Sequence, residues 1–315
     1  MPGESTRSTI DLADVARALD EDVLAQVRHE LENVGTVLLR AAGGFDRGVL
    51  RALGRALSNG SLQGSYGELP HVDGDREIFS STPYPNRERI LWHHEAAHTD
   101  EWPHVQLFAC AVAAPAGGAT GTADSREVWA RLPARTATKF ATVGLRYIRN
   151  FHAHLGVEWR DALQVSDEDE LADVCARRHV EHEWRPDGVL RTSFVTAATA
   201  TADDRVAFAN QILLHHPCVL SPRTQDALTG LFGEREAFPR HVQFGDGTEI
   251  PDALVGEILT LYDSLAVRTP WRPGDILILD NRTTAHARDP FEGHRQIEVA
   301  LGTFRPRPLV ATGVG

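Results

Sequence analysis

Cysteine, lysine and long hydrophobic runs are scarce in this sequence, and each scarcity removes a class of function. The 315 residues include three cysteines, Cys110, Cys175 and Cys218. They are odd in number and widely spaced, so they cannot form a disulfide framework or a CxxC metal site, and they read as buried thiols. Lys139 is the only lysine, and arginine supplies the remaining basic side chains, a pattern of coding bias rather than function. Positive charge is also in deficit overall. A formal net charge of -12 argues against nucleic acid or an anionic membrane as a partner. No stretch approaches the ~20 apolar residues that span a bilayer. The N-terminus, MPGESTRSTIDLADV, lacks the basic start and apolar run of a signal peptide. The expectation is a soluble protein in a reducing cytoplasm.

The hydrophobic content of 42% is ample for a large core. Leu12, Val15, Leu19, Val23, Val27 and Leu31 recur near helical spacing and predict a helix over residues 12–34. A strand follows over residues 35–40. Asp46 is placed to cap a second helix that runs to Leu57 and ends at Asn59-Gly60, which gives an N-terminal helical segment of about 10–58. Beyond residue 60 the pattern changes to short apolar runs, at 105–113, 145–151, 206–208, 242–244, 275–279 and 296–304, separated by turn residues. Many short strands of this kind predict a sandwich or barrel. Helical inserts are expected at 125–132, around 167–176 and at 252–265. The acidic run SDEDELAD at 166–173 reads as a solvated helix start. The fold class expected is mainly β with flanking helices, a jelly roll, as a single domain over residues 1–315.

Histidines and carboxylates crowd residues 91–104, LWHHEAAHTDEWPH. Two metal readings compete there. In the first, His93 and Glu95 stand at i and i+2 on one face of a strand end. They would be two members of a 2-His-1-carboxylate triad, which leaves three positions open on iron(II). In the second, His94-Glu95-Ala96-Ala97-His98 is an HExxH motif, extended to His104, in which a helix presents two zinc ligands and Glu95 is the base. The longer zinc-protease motif needs glycine where Glu101 stands, and a Met-turn that cannot exist when Met1 is the only methionine. Pro103 leaves little room for a long helix.

The C-terminal half offers the third ligand of the first reading. A strand over 275–279 ends at Asp280-Asn281, a short turn presents His286, and a loop with Asp289-Pro290 and Gly293 leads to Arg295 at the start of another strand. An arginine suits a carboxylate, because its fork donates two parallel hydrogen bonds and stays charged.

The two segments together resemble the taurine dioxygenase/TfdA superfamily of Fe(II)/2-oxoglutarate-dependent oxygenases, and within it the SyrP-like amino-acid hydroxylase branch. The resemblance runs from about Gly35 to Gly302. It rests on SSTPYP at 80–85, His93-His94-Glu95, Trp102-Pro103, Gly117-Gly118-Ala119-Thr120, ADSR at 123–126, FGDG at 244–247, Trp271 with Gly274-Asp275, Asp280-Asn281, His286 and Gly293-His294-Arg295. It implies a double-stranded β-helix, iron ligation by His93, Glu95 and His286, and a 2-oxoglutarate site at Arg295 assisted by Thr120. Substrate oxidation would consume O2 and release succinate and CO2. Many superfamily members carry aspartate where Glu95 stands, and glutamate occurs in this branch. Related halogenases replace the carboxylate with a small residue, so Glu95 argues for oxygen transfer. His94 and His98 fall outside this ligand set.

The implied partner is a small-molecule substrate, an amino acid or amino-acid derivative, free or tethered to a carrier protein, in natural-product biosynthesis. Arg191 and Asn210 are candidate substrate-binding residues, with Gln211, Arg149 and Asn150 as further polar candidates. Desaturation, epoxidation or cyclisation would use the same metal motif as hydroxylation. Two alternatives stand beside this reading: a zinc-dependent hydrolase built on HEAAH, and a non-catalytic jelly-roll binding protein. The second would be expected to lose at least one of His93, Glu95, His286 and Arg295, and all are present.

Overall fold

The computed structural model describes residues 8–63, 69–72, 74–153 and 155–310. The N-terminal stretch forms β1 (Ser8–Leu12), α1 (Glu21–Asn33), β2 (Thr36–Ala41) and α2 (Arg47–Leu57). Then come β3 (Ile78–Ser80), β4 (Ile90–His93), the long β5 (Glu101–Val112), β6 (Ala116–Gly117), β7 (Thr120–Asp124), α3 (Ser125–Arg131) and α4 (Ala134–Val143). The middle contributes β8 (Leu145–Phe151), α5 (Trp159–Leu163), α6 (Glu168–Arg177), β9 (Glu181–Trp184), β10 (Leu190–Thr196), β11 (Ala200–Ala202) and β12 (Arg205–Ala207). It continues through α7 (Ile212–His215), α8 (Pro222–Phe232), β13 (Arg240–Phe244) and α9 (Asp252–Ser264). The last strands are β14 (Val267–Thr269), β15 (Ile276–Asp280), β16 (Thr284–Arg288), β17 (Phe291–Glu292) and β18 (Gln296–Pro306).

Two sheets make the jelly roll. The larger has the order β1-β2-β15-β5-β18-β3 and the smaller β14-β7-β16-β4. Strand β15 shows why its sequence is an unbroken apolar run: both of its faces are covered. Ile276 and Ile278 point outward to α1 and α2, joining Val27, Leu50, Leu53, Leu107 and Ala300. Leu277 and Leu279 point inward with Phe108, Ile297 and Val299. The outer face of the smaller sheet presents Trp92, Ala123 and Ala285 to α3 and α9. A third sheet, β13-β8-β10-β9, adds Tyr147 and Val242 to that cluster. The facing inner surfaces of the two main sheets enclose the cavity described below.

The expected helix over residues 12–34 is interrupted. Residues 8–12 pair as β1, parallel to β2, with Ile10 beside Leu39. Asp14 caps a short 3₁₀ turn over Val15–Leu19, its carboxylate accepting from the Ala16 N–H at 2.8 Å. Asp20 is again extended (φ -63°, ψ 141°) and α1 starts after it. The apolar spacing thus reflects three elements that bury one side each, and two aspartates at cap positions divide them. The expected cap at Asp46 is present, its carboxylate accepting from the Val49 N–H at 3.1 Å. Among the described residues no helix is long and apolar enough to cross a membrane.

Candidate active site

Strand pairing brings together the two histidines that the sequence separates. β16 pairs antiparallel with β4, and His286 stands directly opposite His93, their ring centroids 4.1 Å apart. The chain leaves β4 at His93 and enters a turn over residues 95–98, with Ala96 at φ 54°. This turn swings Glu95 back toward the pair, and Glu95 Oε2 lies 3.9 Å from His286 Nε2. One ligand atom from each of His93, Glu95 and His286 lies within 4.8 Å of the others, a spacing that could hold a metal ion.

The donor set has the protonation a metal needs. His93 Nδ1 lies 2.7 Å from the Leu91 carbonyl oxygen, which can only accept, so Nδ1 carries the hydrogen and Nε2 is the atom that would serve as a ligand. Burial, with the His93 and His94 imidazoles close by, pushes His286 well below its ordinary pKa and keeps it neutral. Gln106, fully buried on β5, donates from Nε2 to Glu95 Oε2 at 3.2 Å.

A cavity opens over these residues. Arg295 and Thr120 also line it, with apolar side chains such as Phe108, Ile297 and Val299. Arg295 Nε donates to the Gly118 carbonyl at 2.9 Å and its Nη2 donates to Thr120 Oγ1 at 3.3 Å. Among the described residues no carboxylate pairs with it. Burial, with Arg288 nearby, lowers its pKa to about 10, so it stays charged at neutral pH. A buried, unpaired guanidinium is costly, and a bound carboxylate would offset that cost. Gly118 makes the approach possible: at φ +72°, a Cβ there would sit 3.0 Å from Arg295 Cδ.

The HExxH reading fails on geometry, because residues 95–98 form a turn and not a helix. His94 points away from the cavity, its Nε2 3.0 Å from Ser125 Oγ, and burial pushes its pKa down to about 3. His98 packs against His215, with ring centroids 4.9 Å apart. A second cluster, His216, Cys218 and Asp252, has shorter-range explanations. Asp252 is held by both ends of the Arg235 guanidinium at 2.6 and 2.9 Å, and burial pushes the Cys218 thiol up to about 11.

The structure does not bring the sequence's substrate-binding candidates to this cavity. Arg191 lies on β10, in a separate cavity with Arg146 and Glu181, and its Nη2 is 3.6 Å from Glu236. Asn210 sits behind the ligand segment, where its carbonyl accepts from the His94 N–H at 3.1 Å and its Oδ1 accepts from the Ile212 N–H at 3.1 Å. Gln211 Nε2 donates to the His94 carbonyl at 2.9 Å. Asn150 Nδ2 donates to the carbonyls of Glu236 and Phe238, and Arg149 stacks over Phe151. The residues missed in sequence were Gln106 and Arg288, both on the cavity wall. Each carried a signal, a polar or charged side chain with apolar chain neighbours, Val105 and Leu107 around Gln106 and Ala287 before Arg288.

Several known proteins are similar to this chain. The profile of the family described as "Taurine catabolism dioxygenase TauD, TfdA family" matches residues 2–301. The dapdiamide synthesis protein DdaC of Enterobacter agglomerans is 34% identical over 226 residues, covering 71% of this chain and 68% of that protein. A clavaminate synthase-like protein of Arabidopsis thaliana is 25% identical over 255 residues, covering 75% and 74%. Among solved structures, a taurine dioxygenase from Burkholderia xenovorans superposes with a TM-score of 0.55 at 16% identity, covering 94% of this chain and 86% of that one. AAD-2 in complex with Mn(II) and N-oxalylglycine gives 0.54 at 12% identity, covering 96% of each chain. At these identities the structural matches speak for the fold alone.

Proposed function

Because the chain belongs to the TauD/TfdA dioxygenase family, and is therefore a non-haem iron(II) oxygenase that uses 2-oxoglutarate and O2 on a small molecule, we propose that it hydroxylates an amino acid or amino-acid derivative in natural-product biosynthesis. The reading of its site rests on one observation. His93, Glu95 and His286 converge in a cavity also lined by Arg295, which is charged and without a carboxylate partner among the described residues. The triad would hold iron(II), and Arg295 with Thr120 would hold the distal carboxylate of 2-oxoglutarate. Iron bound there would supply the redox chemistry that couples O2 and the oxoacid to C–H oxidation.

The protein's own contribution is placement. Leu91 fixes the His93 tautomer, Gln106 holds the Glu95 carboxylate, and Phe108, Ile297 and Val299 keep the cavity apolar. Glu95 fills the position that halogenation would need open, which favours oxygen transfer. The amino-acid class is supported by the relation to DdaC, a dapdiamide synthesis protein. A cytoplasmic setting fits Cys110, Cys175 and Cys218, all free thiols.

The test is incubation with iron(II), 2-oxoglutarate, O2, chloride and a panel of amino acids, free and as phosphopantetheinyl thioesters. The expected result is a substrate-dependent rise in succinate matched by a product one oxygen heavier. Succinate formation indifferent to every panel member would overturn the amino-acid assignment, and a chlorinated major product would remove Glu95 from the metal.

A further inference from the structure

Arg288 places a charge on a strand that is otherwise closed to water. It stands two residues beyond His286 on β16, and only 7% of it is exposed. Its guanidinium forms no ion pair among the described residues. Instead Nη1 donates to the Tyr84 carbonyl at 3.1 Å, and Nη2 donates to the carbonyls of Pro85 and Glu88 at 2.7 Å each. The aromatic rings of Tyr84 and Phe291 flank it, their centroids 5.6 and 5.2 Å from Cζ. Burial lowers its pKa from the usual arginine value.

All three acceptors belong to the connection between β3 and β4. Residues 81–89 of that connection contain neither helix nor strand, and two of them, Ser81 and Thr82, line the cavity over the metal ligands. Pro83 and Pro85 have no backbone N–H with which to build a turn ladder. The Pro85 carbonyl also accepts from the Glu88 N–H at 3.1 Å, while those of Tyr84 and Glu88 look to the guanidinium for a donor. A planar fork with five N–H groups can meet all three at once, whereas an ammonium group is a compact point charge without that fixed fork. Other ties hold the segment as well: the Ser81 N–H donates to the Ile297 carbonyl at 3.1 Å, the Phe291 N–H donates to the Asn86 carbonyl at 2.8 Å, and the Arg89 guanidinium pairs with Asp263 at the segment's end.

We propose that Arg288 is a positioning residue that latches the 81–89 connection onto the strand carrying His286, and so sets the wall that Ser81 and Thr82 present to whatever binds over the metal. The latch rests on the reading of this cavity as the oxygenase site. Its consequence is that pocket shape and metal position are fixed by one strand, so a loosened connection weakens ligand retention while the metal ligands stay in place.

Arg288→Lys, which keeps the charge and loses the fork, and Arg288→Gln are the variants. Hydrogen exchange of amides 81–90, iron(II) affinity and 2-oxoglutarate affinity of the iron-loaded protein are the three readouts. In both variants exchange in that segment should rise about tenfold or more, and 2-oxoglutarate should bind about tenfold more weakly. Iron(II) affinity should stay within about twofold of the wild type, because no ligand is removed. Unchanged exchange with weakened 2-oxoglutarate binding would overturn the latch and make Arg288 a direct ligand contact. Loss of iron binding in folded variants would overturn it as well and give Arg288 a role in placing His286. A wild-type protein that binds neither iron(II) nor 2-oxoglutarate would sink the oxygenase site instead, a failure separate from the exchange result.

Discussion

Asn281 holds Glu95 by its backbone. Its Oδ1 accepts from the Glu95 N–H at 2.8 Å and its Nδ2 donates to the Glu95 carbonyl at 2.9 Å. The same Nδ2 donates to the Pro103 carbonyl at 2.8 Å, and the residue is wholly buried. One side chain just past β15 therefore closes the turn between β4 and β5 and sets where the carboxylate stands. Asn281→Asp keeps the shape but replaces two donors with an acceptor that faces two carbonyls. Thermal unfolding should show a loss of about 2–4 kcal/mol. Equilibrium dialysis should show iron(II) binding weakened by about tenfold or more. Wild-type metal content in this variant would mean that other contacts place Glu95.

Arg295→Met tests the buried charge from both sides. Affinity for 2-oxoglutarate should fall by roughly 10²-fold or more, since a buried bidentate charge pair is lost. Iron(II) binding without 2-oxoglutarate should barely change. The ligand-free variant should also melt no lower than the wild type, because an uncompensated buried cation has been removed. A variant that melts lower and binds 2-oxoglutarate normally would place Arg295 in the scaffold rather than the site.

His286→Ala and His98→Ala separate the two metal readings. Elemental analysis on folded protein, checked by circular dichroism, should find iron absent from the first and retained in the second. The structure gives the reason: His286 faces His93 across β16 and β4, while His98 packs against His215. An empty site in His98→Ala beside a full one in His286→Ala would reverse the assignment.

Asp263 clamps the start of the ligand strand. Its carboxylate accepts from Trp92 Nε1 at 2.8 Å and from Arg89 at 2.5 and 3.1 Å. Burial alone would raise this carboxyl, but the hydrogen bonds from Arg89 and Trp92 outweigh it and hold it below the usual range. Its stabilisation is therefore complete above the unfolded carboxylate value of about 3.9 and is lost as pH falls through the lower, folded value. The clamp is partly solvent-exposed, so its worth is modest, about 1 kcal/mol. Asp263→Asn should melt below the wild type at neutral pH, and the gap should close on acidification below about pH 4. A gap that is constant with pH would show that the charge of Asp263 does not matter.

The fold class and the candidate site were legible because their signals are local. His93 and Glu95 sit two residues apart, and the strand, turn and Arg295 that accompany His286 lie within residues 275–295. The apolar run of β15 announced a strand because both its faces are buried. What was not legible depends on pairing across the chain. Asn281 reaches Glu95 over 186 positions, and no periodicity marks such a bond. Strand β1 is a short parallel addition to β2, and its apolar spacing merged with that of α1. Helix α8 buries no residue, and its short apolar set, Leu228, Leu231 and Phe232, gave too little pattern to disclose it. Arg191 looked like a ligand contact in sequence, but the strand order of the third sheet carries it to a different cavity.

The most direct test is anaerobic titration of the iron(II)-loaded protein with 2-oxoglutarate, followed by visible absorption. If His93, Glu95 and His286 hold the metal and Arg295 holds the distal carboxylate, a weak metal-to-ligand charge-transfer band should grow and saturate at stoichiometric 2-oxoglutarate. It should be absent from His286→Ala and need far more 2-oxoglutarate in Arg295→Met. No band in the wild type, or an equal band in His286→Ala, would contradict the assignment.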